Sequence, residues 1–381
     1  MSVRLIVNAT ILNQTRQTGL GVYAAGLLLP LLKLCVVDSR LSEIVLAGRR
    51  ESIESSLGSV CTGPKMRLVT VNTTQPIGRL FALDRLMVAE KKRPGGILFY
   101  SPTHHGVVRR GISQIITVHD LFARLFPNNY RQQYLYFRWY LPRILARTSR
   151  VMVDSVSTGR DLHRFYADCP PSEVVHAALR SDLVESPLCE SPLDEDERFF
   201  LFVGPSYRYK NCKRLIDAFI AYRHTHSGKL VFAGGREEYL RDLRQHLSEH
   251  YRDLAQEVVF LSYPSAEELS WLYRRATALM LTTLYEGFGL PALEAMACDC
   301  PVVASRAGSL PEVCGEAALF VDPEEVDSIA CAMVRVANDR ALRESLIAAG
   351  RQNVLRFSWE KSALKVYQAL LACADEADAA I

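Results

Sequence analysis

The chain has 381 residues, 49% of them hydrophobic and 23% charged, which suits a folded protein of two domains and excludes a disordered, collagen-like or coiled-coil chain. No run approaches the ~18 uninterrupted apolar residues of a membrane span; the nearest, Ala24 to Val37, carries Lys33. The formal charge of +3 hides an asymmetry: residues 1–180 hold 24 Lys and Arg against 11 Asp and Glu, or +13, which leaves 21 against 31, or −10, for residues 181–381.

In chain order, Val- and Ile-rich runs at Arg4–Ala9, Glu43–Ala47, Met66–Val71, Gly96–Tyr100, Ser113–Val118 and Val151–Asp154 read as strands. Helical patterns at about 19–34, 77–92, 130–147 and 156–167 lie between them. An acidic, Ser- and Pro-bearing stretch at 182–198 breaks this rhythm and reads as a linker. Strand-like runs then resume at Phe199–Val203, Lys229–Ala233, Val258–Leu261, Thr277–Leu281, Pro301–Ala304 and Ala317–Val321. Ser265 and Glu268 fit a capping box that opens a helix, and two or three helices close the chain from about 325 to 376.

Strands alternating with helices mean βαβ units, hence an α/β fold with two Rossmann-like domains, residues 1–181 and 199–358. Ligands of such sheets bind beyond the carboxyl ends of the strands, so the expected active site is a cleft between the domains. The basic first half is suited to anions: nucleic acid, an anionic membrane or a phosphorylated acceptor. The chain runs from Met-Ser-Val-Arg straight into the first strand pattern, so no signal peptide is expected. Ten cysteines without a repeated spacing suit reduced cytosolic thiols.

No G-x-G-x-x-G follows the first strand, and Tyr209 stands where a Walker loop needs its second Gly. Neither a nicotinamide dehydrogenase nor a P-loop kinase is supported. The most informative segment is Leu284–Ala297, LYEGFGLPALEAMA. Gly287 and Gly289 free the backbone for close approach to a ligand. Pro291 suits the first turn of a helix whose N–H groups and positive dipole end bind a phosphate or diphosphate. Glu286 precedes that anion site and Glu294, expected in the helix's first turn, follows it. Carboxylates so placed can accept from sugar hydroxyls on either side of a diphosphate.

This segment resembles glycosyltransferase family 4 of the GT-B fold, whose E-x7-E motif Glu286 and Glu294 match. Other segments resemble the family in the same order: Thr18–Tyr23 a Gly-rich loop, Thr117–Leu121 the "TVHDL" strand end, and Val203–Gly204 with Lys210–Asn211 a phosphate-binding turn. Ala304–Val313 resembles "ASxxGxLPEV" and Phe357–Glu360 resembles "FSWE". The resemblance implies a GT-B architecture of two Rossmann-like domains facing across a cleft, with a last helix, 359–381, crossing back to the first domain. It implies transfer of a hexose, with retention of configuration and without a metal, from a nucleotide-diphosphate sugar.

His119, Lys210 and Glu286 are then the catalytic set: Lys210 on the diphosphate, Glu286 on the transferred hexose, and His119 on that sugar or the developing charge. Asp120 would orient the His119 ring or serve the acceptor. Donor binding falls to Gly19, Gly21, Arg208, Tyr263, Phe288, Gly289, Leu290 and Glu294, the last on the ribose. His104 and His105, in SPTHHG, sit by the acceptor; no third metal ligand is identified for them.

The resemblance to mannosyltransferases of bacterial surface polysaccharides implies GDP-mannose as donor and a glycan or polyprenyl-diphosphate-linked acceptor. UDP- and dTDP-sugars, a soluble disaccharide synthase and a catalytically silent nucleotide-sugar-binding protein remain as alternatives. Residues 77–93 and 130–150 mix aromatic or apolar residues with Arg and Lys, so peripheral attachment of a cytoplasmic enzyme to an anionic membrane is expected. No nucleic-acid module is present.

Overall fold

Strands too apolar to leave either face in water must be covered on both sides, and the chain solves this with two parallel sheets flanked by helices. The computed structural model describes residues 3–14, 18–73, 76–185, 193 and 197–379. The chain divides into two units, Met1–Ala178 with Phe357–Ile381, and Leu179–Arg356.

The first unit holds β1 (Val3–Asn8), β2 (Leu41–Gly48), β3 (Met66–Thr70), β4 (Gly96–Ser101), β5 (Ser113–Val118), β6 (Arg150–Val153) and β7 (Ser172–Val174). They lie in the order β3-β2-β1-β4-β5-β6-β7, every pair parallel. The six expected strands stand within two residues of their predicted ends. The edge strand β7 is additional: three half-buried residues carry no apolar run to read. On one face of this sheet Ile6, Val45 and Phe99 pack with Leu83 and Met87.

The helix Gly19–Val37 starts where expected, capped by Thr18, and runs three residues past the expected end at 34. It is long and apolar enough, by length and composition alone, to cross a membrane. Here it is a core element. Leu27, Leu28, Leu31 and Leu32 are fully buried, each stabilising the unit by roughly 1.5–3 kcal/mol. Gly26 lets the Trp359 ring approach so closely that a Cβ there would lie 2.3 Å from it. Trp359 opens the helix Trp359–Ala379, which packs in this unit and donates from Ser362 Oγ to the His176 carbonyl at 2.6 Å.

The second unit holds β8 (Phe199–Val203), β9 (Lys229–Ala233), β10 (Val258–Leu261), β11 (Ala278–Leu281), β12 (Val302–Ser305) and β13 (Ala318–Val321), ordered β10-β9-β8-β11-β12-β13 and parallel throughout. The expected capping box is formed in full at Ser265 and Glu268, opening the helix Ala266–Arg275. Three helices, Val326–Asn338, Arg340–Val354 and Trp359–Ala379, close the chain. Of the stretch read as a linker, residues 182–185 close a short helix that buries Leu183, and 186–192 and 194–196 lie outside the described residues. The nine described cysteines are free thiols, of which only Cys331 is exposed.

Both sheets reverse their order beside the first strand: between β1 and β4 in one, between β8 and β11 in the other. Loops leaving such a pair diverge, opening a crevice past the carboxyl ends of the strands. Of the residues picked out from the sequence, Lys210 follows β8 and Glu286 follows β11, while Gly19 and Gly21 follow β1 and His104 and His105 follow β4.

Candidate active site

In the second unit the loops after β8 and β11 meet at the switch point. The first ends in a tight turn, Arg208–Lys210, followed by Asn211 in the left-handed region at φ 62°. Asn211 Nδ2 donates to the carbonyls of Thr282 (3.0 Å) and Pro323 (2.7 Å), and Leu284 N donates to Tyr209 O at 2.8 Å, so the two loops are joined by backbone as well as side chain. Lys210 Nζ then lies 2.6 Å from Glu286 Oε1, with both side chains largely buried.

Beyond Glu286 the chain turns at Gly289, whose φ of 105° is open to glycine alone, and enters the helix Leu290–Ala297. Pro291 is its second residue. No described group accepts from the N–H of Gly289 or Leu290, so this helix presents open donors. The Phe288 ring is buried while its carbonyl accepts from Ser309 Oγ at 2.6 Å.

Glu294 corrects the first-turn expectation: it is the fifth residue of the helix, in the second turn. Tyr273 donates to its Oε2 at 2.8 Å and Oε1 has no partner among the described residues, which leaves one anchored and one available oxygen. Burial pushes the Glu294 carboxyl up, against the Tyr273 hydrogen bond and the nearby Arg180 charge, while Asp182 adds to the rise. Arg180 itself is forked onto Asp182 at 3.0 and 2.6 Å.

The loop is clamped from outside. Ser309 donates from both N and Oγ to the Glu286 carbonyl at 3.1 Å. Gly308, at φ 55°, lies so close that a Cβ would come within 2.3 Å of that carbonyl oxygen.

The remaining donor residues are less gathered. Arg208 is exposed and lines a cavity of about 170 Å³ with Asn211, Lys213, Tyr239 and Asp242, a group that includes neither Lys210 nor Glu286. Tyr263 follows β10 at a positive φ of 21° with half of its surface exposed.

In the first unit, Gly19 and Gly21 belong to the first turn of a helix rather than to a loop, and the Gly21 N–H donates to Thr18 Oγ1 at 3.3 Å. Thr18, not a ligand, satisfies that donor here. His119 lies just past the end of β5 and is buried. Its Nε2–H donates to the Pro102 carbonyl at 2.8 Å and its Nδ1–H to Asp154 Oδ2 at 2.6 Å. Acceptors at both ring nitrogens favour the doubly protonated, positively charged ring.

Asp154, not Asp120, therefore orients the ring; it stands just past β6, at the neighbouring strand end. Burial disfavours the charged ring, but Asp154 and the Pro102 carbonyl outweigh it and hold the imidazole above its ordinary value. A raised value means the stabilisation is fully present below about 6.5 and is lost as pH rises through the higher folded value. Asp154→Asn keeps an acceptor but removes the charge. It is expected to lower the His119 titration, read by NMR of the imidazole nitrogens, and to flatten the stability change above neutral pH.

Sequence reasoning missed Asp154, Tyr273, Arg180 and the Gly308–Ser309 clamp. Of these, Asp154 had a signal in its position, an acidic residue directly after a buried parallel strand, and Gly308 and Ser309 had one in the Ala304–Val313 motif.

The fold is GT-B. A sucrose-phosphate synthase from Thermosynechococcus elongatus superposes with a TM-score of 0.75 over 97% of this chain and 99% of that one, at 20% identity. HepE of Anabaena, in complex with UDP-glucose, gives 0.71 over 97% and 99%, at 16% identity; such identities bear on the fold alone. Residues 189–353 match the family described as glycosyl transferases group 1. The chain is 32% identical over 230 residues to the O-antigen chain mannosyltransferase RfbU of Salmonella typhimurium, a match spanning 59% of this chain and 61% of that relative, less than two thirds of its length.

Proposed function

We propose that this protein is a retaining hexosyltransferase that moves mannose from GDP-mannose to a glycan or polyprenyl-diphosphate-linked acceptor in the synthesis of a bacterial surface polysaccharide. The observation that carries the reading is the turn between Glu286 and Glu294. Open N–H groups at a helix start, a lysine on the facing loop and two flanking carboxylates match a diphosphate with a sugar on each side. The similarity to a mannosyltransferase supports mannose.

In this reading Lys210 and the N–H groups of Gly289 and Leu290 neutralise the charge that builds on the leaving diphosphate, so the reaction needs no metal. Glu294 Oε1 accepts from the ribose. Glu286, paired with Lys210 until the donor arrives, accepts from the hexose. The acceptor attacks the face the diphosphate leaves, and a diphosphate oxygen takes its proton.

A thermal-shift screen of GDP, UDP, dTDP and their sugar conjugates tests the donor. GDP and GDP-mannose are expected to raise the melting temperature most, by mass action; a larger rise with UDP or dTDP conjugates would replace guanosine in the proposal.

The acceptor side favours an enzyme working from the cytoplasm on the membrane surface. The helix Pro76–Lys91 exposes Phe81 and Val88 beside Arg85, and the segment 131–145 exposes Leu135 and Trp139 beside Arg131, Arg138 and Arg143. Aromatic and aliphatic side chains among arginines suit an anionic headgroup layer. Sedimentation with anionic vesicles is expected at low salt, with at least half released at high salt. Equal partition at both would remove the membrane from the account.

A further inference from the structure

The amino ends of the first sheet's strands lie away from the crevice that such a sheet offers its ligands, and the proposed donor chemistry uses no residue there. At these ends opens a cavity of about 360 Å³, lined by Arg4, Ser42, Glu43, Lys65, Met66 and Arg93 among others. Arg4 is the second residue of β1 and Glu43 the third of β2. Lys65 directly precedes β3, and Arg93 stands three residues before β4. The volume falls within the ~300–1,000 Å³ that small-molecule sites occupy.

Three guanidinium groups gather here on two carboxylates. Glu90, on the helix Pro76–Lys91, pairs with Arg4 Nη1, with Arg67 Nη2 at 2.6 Å and with Arg93 Nη1 at 3.1 Å. Glu43 pairs with Arg67 Nε at 2.9 Å and Arg93 Nη1 at 2.7 Å. Lys65 is a fourth cation, and its Nζ donates to the Asp38 carbonyl at 2.6 Å. The Asp38 carboxylate is itself taken by Arg40 and the Tyr367 hydroxyl. Arg4, Lys65, Arg67 and Arg93 therefore face only Glu43 and Glu90, an excess of two positive charges. With Arg4 and Glu90 buried, water compensates this excess only in part. Donors are in excess too. Arg4 Nε is buried without an acceptor, and among the described residues nothing accepts from Arg93 Nε. Lys65 uses one of its three N–H bonds.

We propose that this cavity binds a phosphate group, with Lys65 and Arg93 donating to its oxygens and the buried Arg4 adding charge. A phosphate dianion matches the excess of two charges and accepts charge-assisted hydrogen bonds from the donors left open. The cavity leaves room for the organic part of a small phosphate ester. The site shares no residue with the Leu290 helix start, so it goes beyond the proposed transfer and does not rest on it.

Titration calorimetry of the intact protein with inorganic phosphate, compared with sodium chloride at equal ionic strength, measures the binding. One phosphate with a dissociation constant of about 1 mM or below is expected, and no heat of binding from chloride. Lys65→Gln, at a half-buried position where no carboxylate loses its partner, is expected to weaken binding about 10-fold. Glu43→Gln removes a negative charge from the lining and is expected to tighten binding several-fold, a gain that a merely structural ion cluster would not give. Mannose 6-phosphate that binds much more tightly than inorganic phosphate marks an ester as the natural occupant; equal affinities mark free phosphate. Absence of millimolar binding, equal binding of chloride, or an affinity that neither Lys65→Gln nor Glu43→Gln changes overturns the site. Binding that Lys210→Ala abolishes and Lys65→Gln leaves intact also overturns it, since that phosphate sits at the Leu290 helix start. None of these readouts depends on whether the protein transfers a sugar.

Discussion

Lys210→Ala is expected to lower turnover by roughly 10²–10³-fold, the loss typical of removing one electrostatic donor from a developing anion. The lysine stands at the join of the β8 and β11 loops, 2.6 Å from Glu286 and mostly buried. Its removal acts twice. The leaving diphosphate loses a point charge, and Glu286 keeps a largely buried carboxylate with no cation beside it, a change that costs about 3 kcal/mol when a buried pair is broken. The melting temperature should therefore fall along with turnover. Lys210→Arg keeps the charge and should recover most of the stability but only part of the rate, because a planar fork does not replace a compact ammonium. Steady-state kinetics and thermal unfolding of the two variants measure this. Turnover of Lys210→Ala within 10-fold of the parent would remove Lys210 from the chemistry.

Gly308→Ala is expected to lower transfer by about 10²-fold although Gly308 touches no substrate, because misplacing a reactive group by an ångström has that cost. The added methyl would lie 2.3 Å from the Glu286 carbonyl oxygen and 2.7 Å from its N, both backbone atoms that no rotamer change can clear. Either the Glu286 loop moves or Ser309 lets go of the Glu286 and Phe288 carbonyls it now holds. The comparison that isolates this effect is Gly58→Ala. Gly58 has nearly the same φ, 60° against 55°, but nothing lies within 4 Å of its added Cβ. It should show only the backbone strain, about 1 kcal/mol of stability, with transfer unchanged. If Gly308→Ala matched Gly58→Ala in both stability and rate, the clamp would have no part in aligning Glu286.

Much of this geometry could be read before any coordinates. Runs such as Phe199–Val203 and Ser113–Val118 match their strands end for end, since runs rich in apolar and β-branched residues, broken on either side, mark strands by themselves. Glu286, Gly289, Pro291 and Glu294 fall around one turn because a left-handed glycine and a proline punctuate it locally. The residue-by-residue register did not follow: Glu294 falls in the second turn because the helix already begins at Leu290, one residue ahead of Pro291. Pairings across the fold were not legible either. His119 and Asp154 are 35 residues apart, and nothing local to either says which acidic residue near a strand end will meet the ring. Asp120, adjacent in sequence, was the natural choice, but successive residues diverge as a strand ends, whereas the next strand's end lies alongside. Ser309 and Gly308 were visible as a motif, yet their task depends on a carbonyl 23 residues earlier.

The central claim is that the turn opening the helix Leu290–Ala297 grips a diphosphate between two sugar-binding carboxylates. A crystal structure of the protein with a bound nucleoside diphosphate tests it most directly. The account predicts phosphate oxygens on the N–H groups of Gly289 and Leu290 and on Lys210 Nζ, with the ribose hydroxyls on Glu294. A fully occupied nucleotide whose phosphates lie away from that turn, or whose ribose leaves Glu294 bonded to Tyr273 alone, would contradict it.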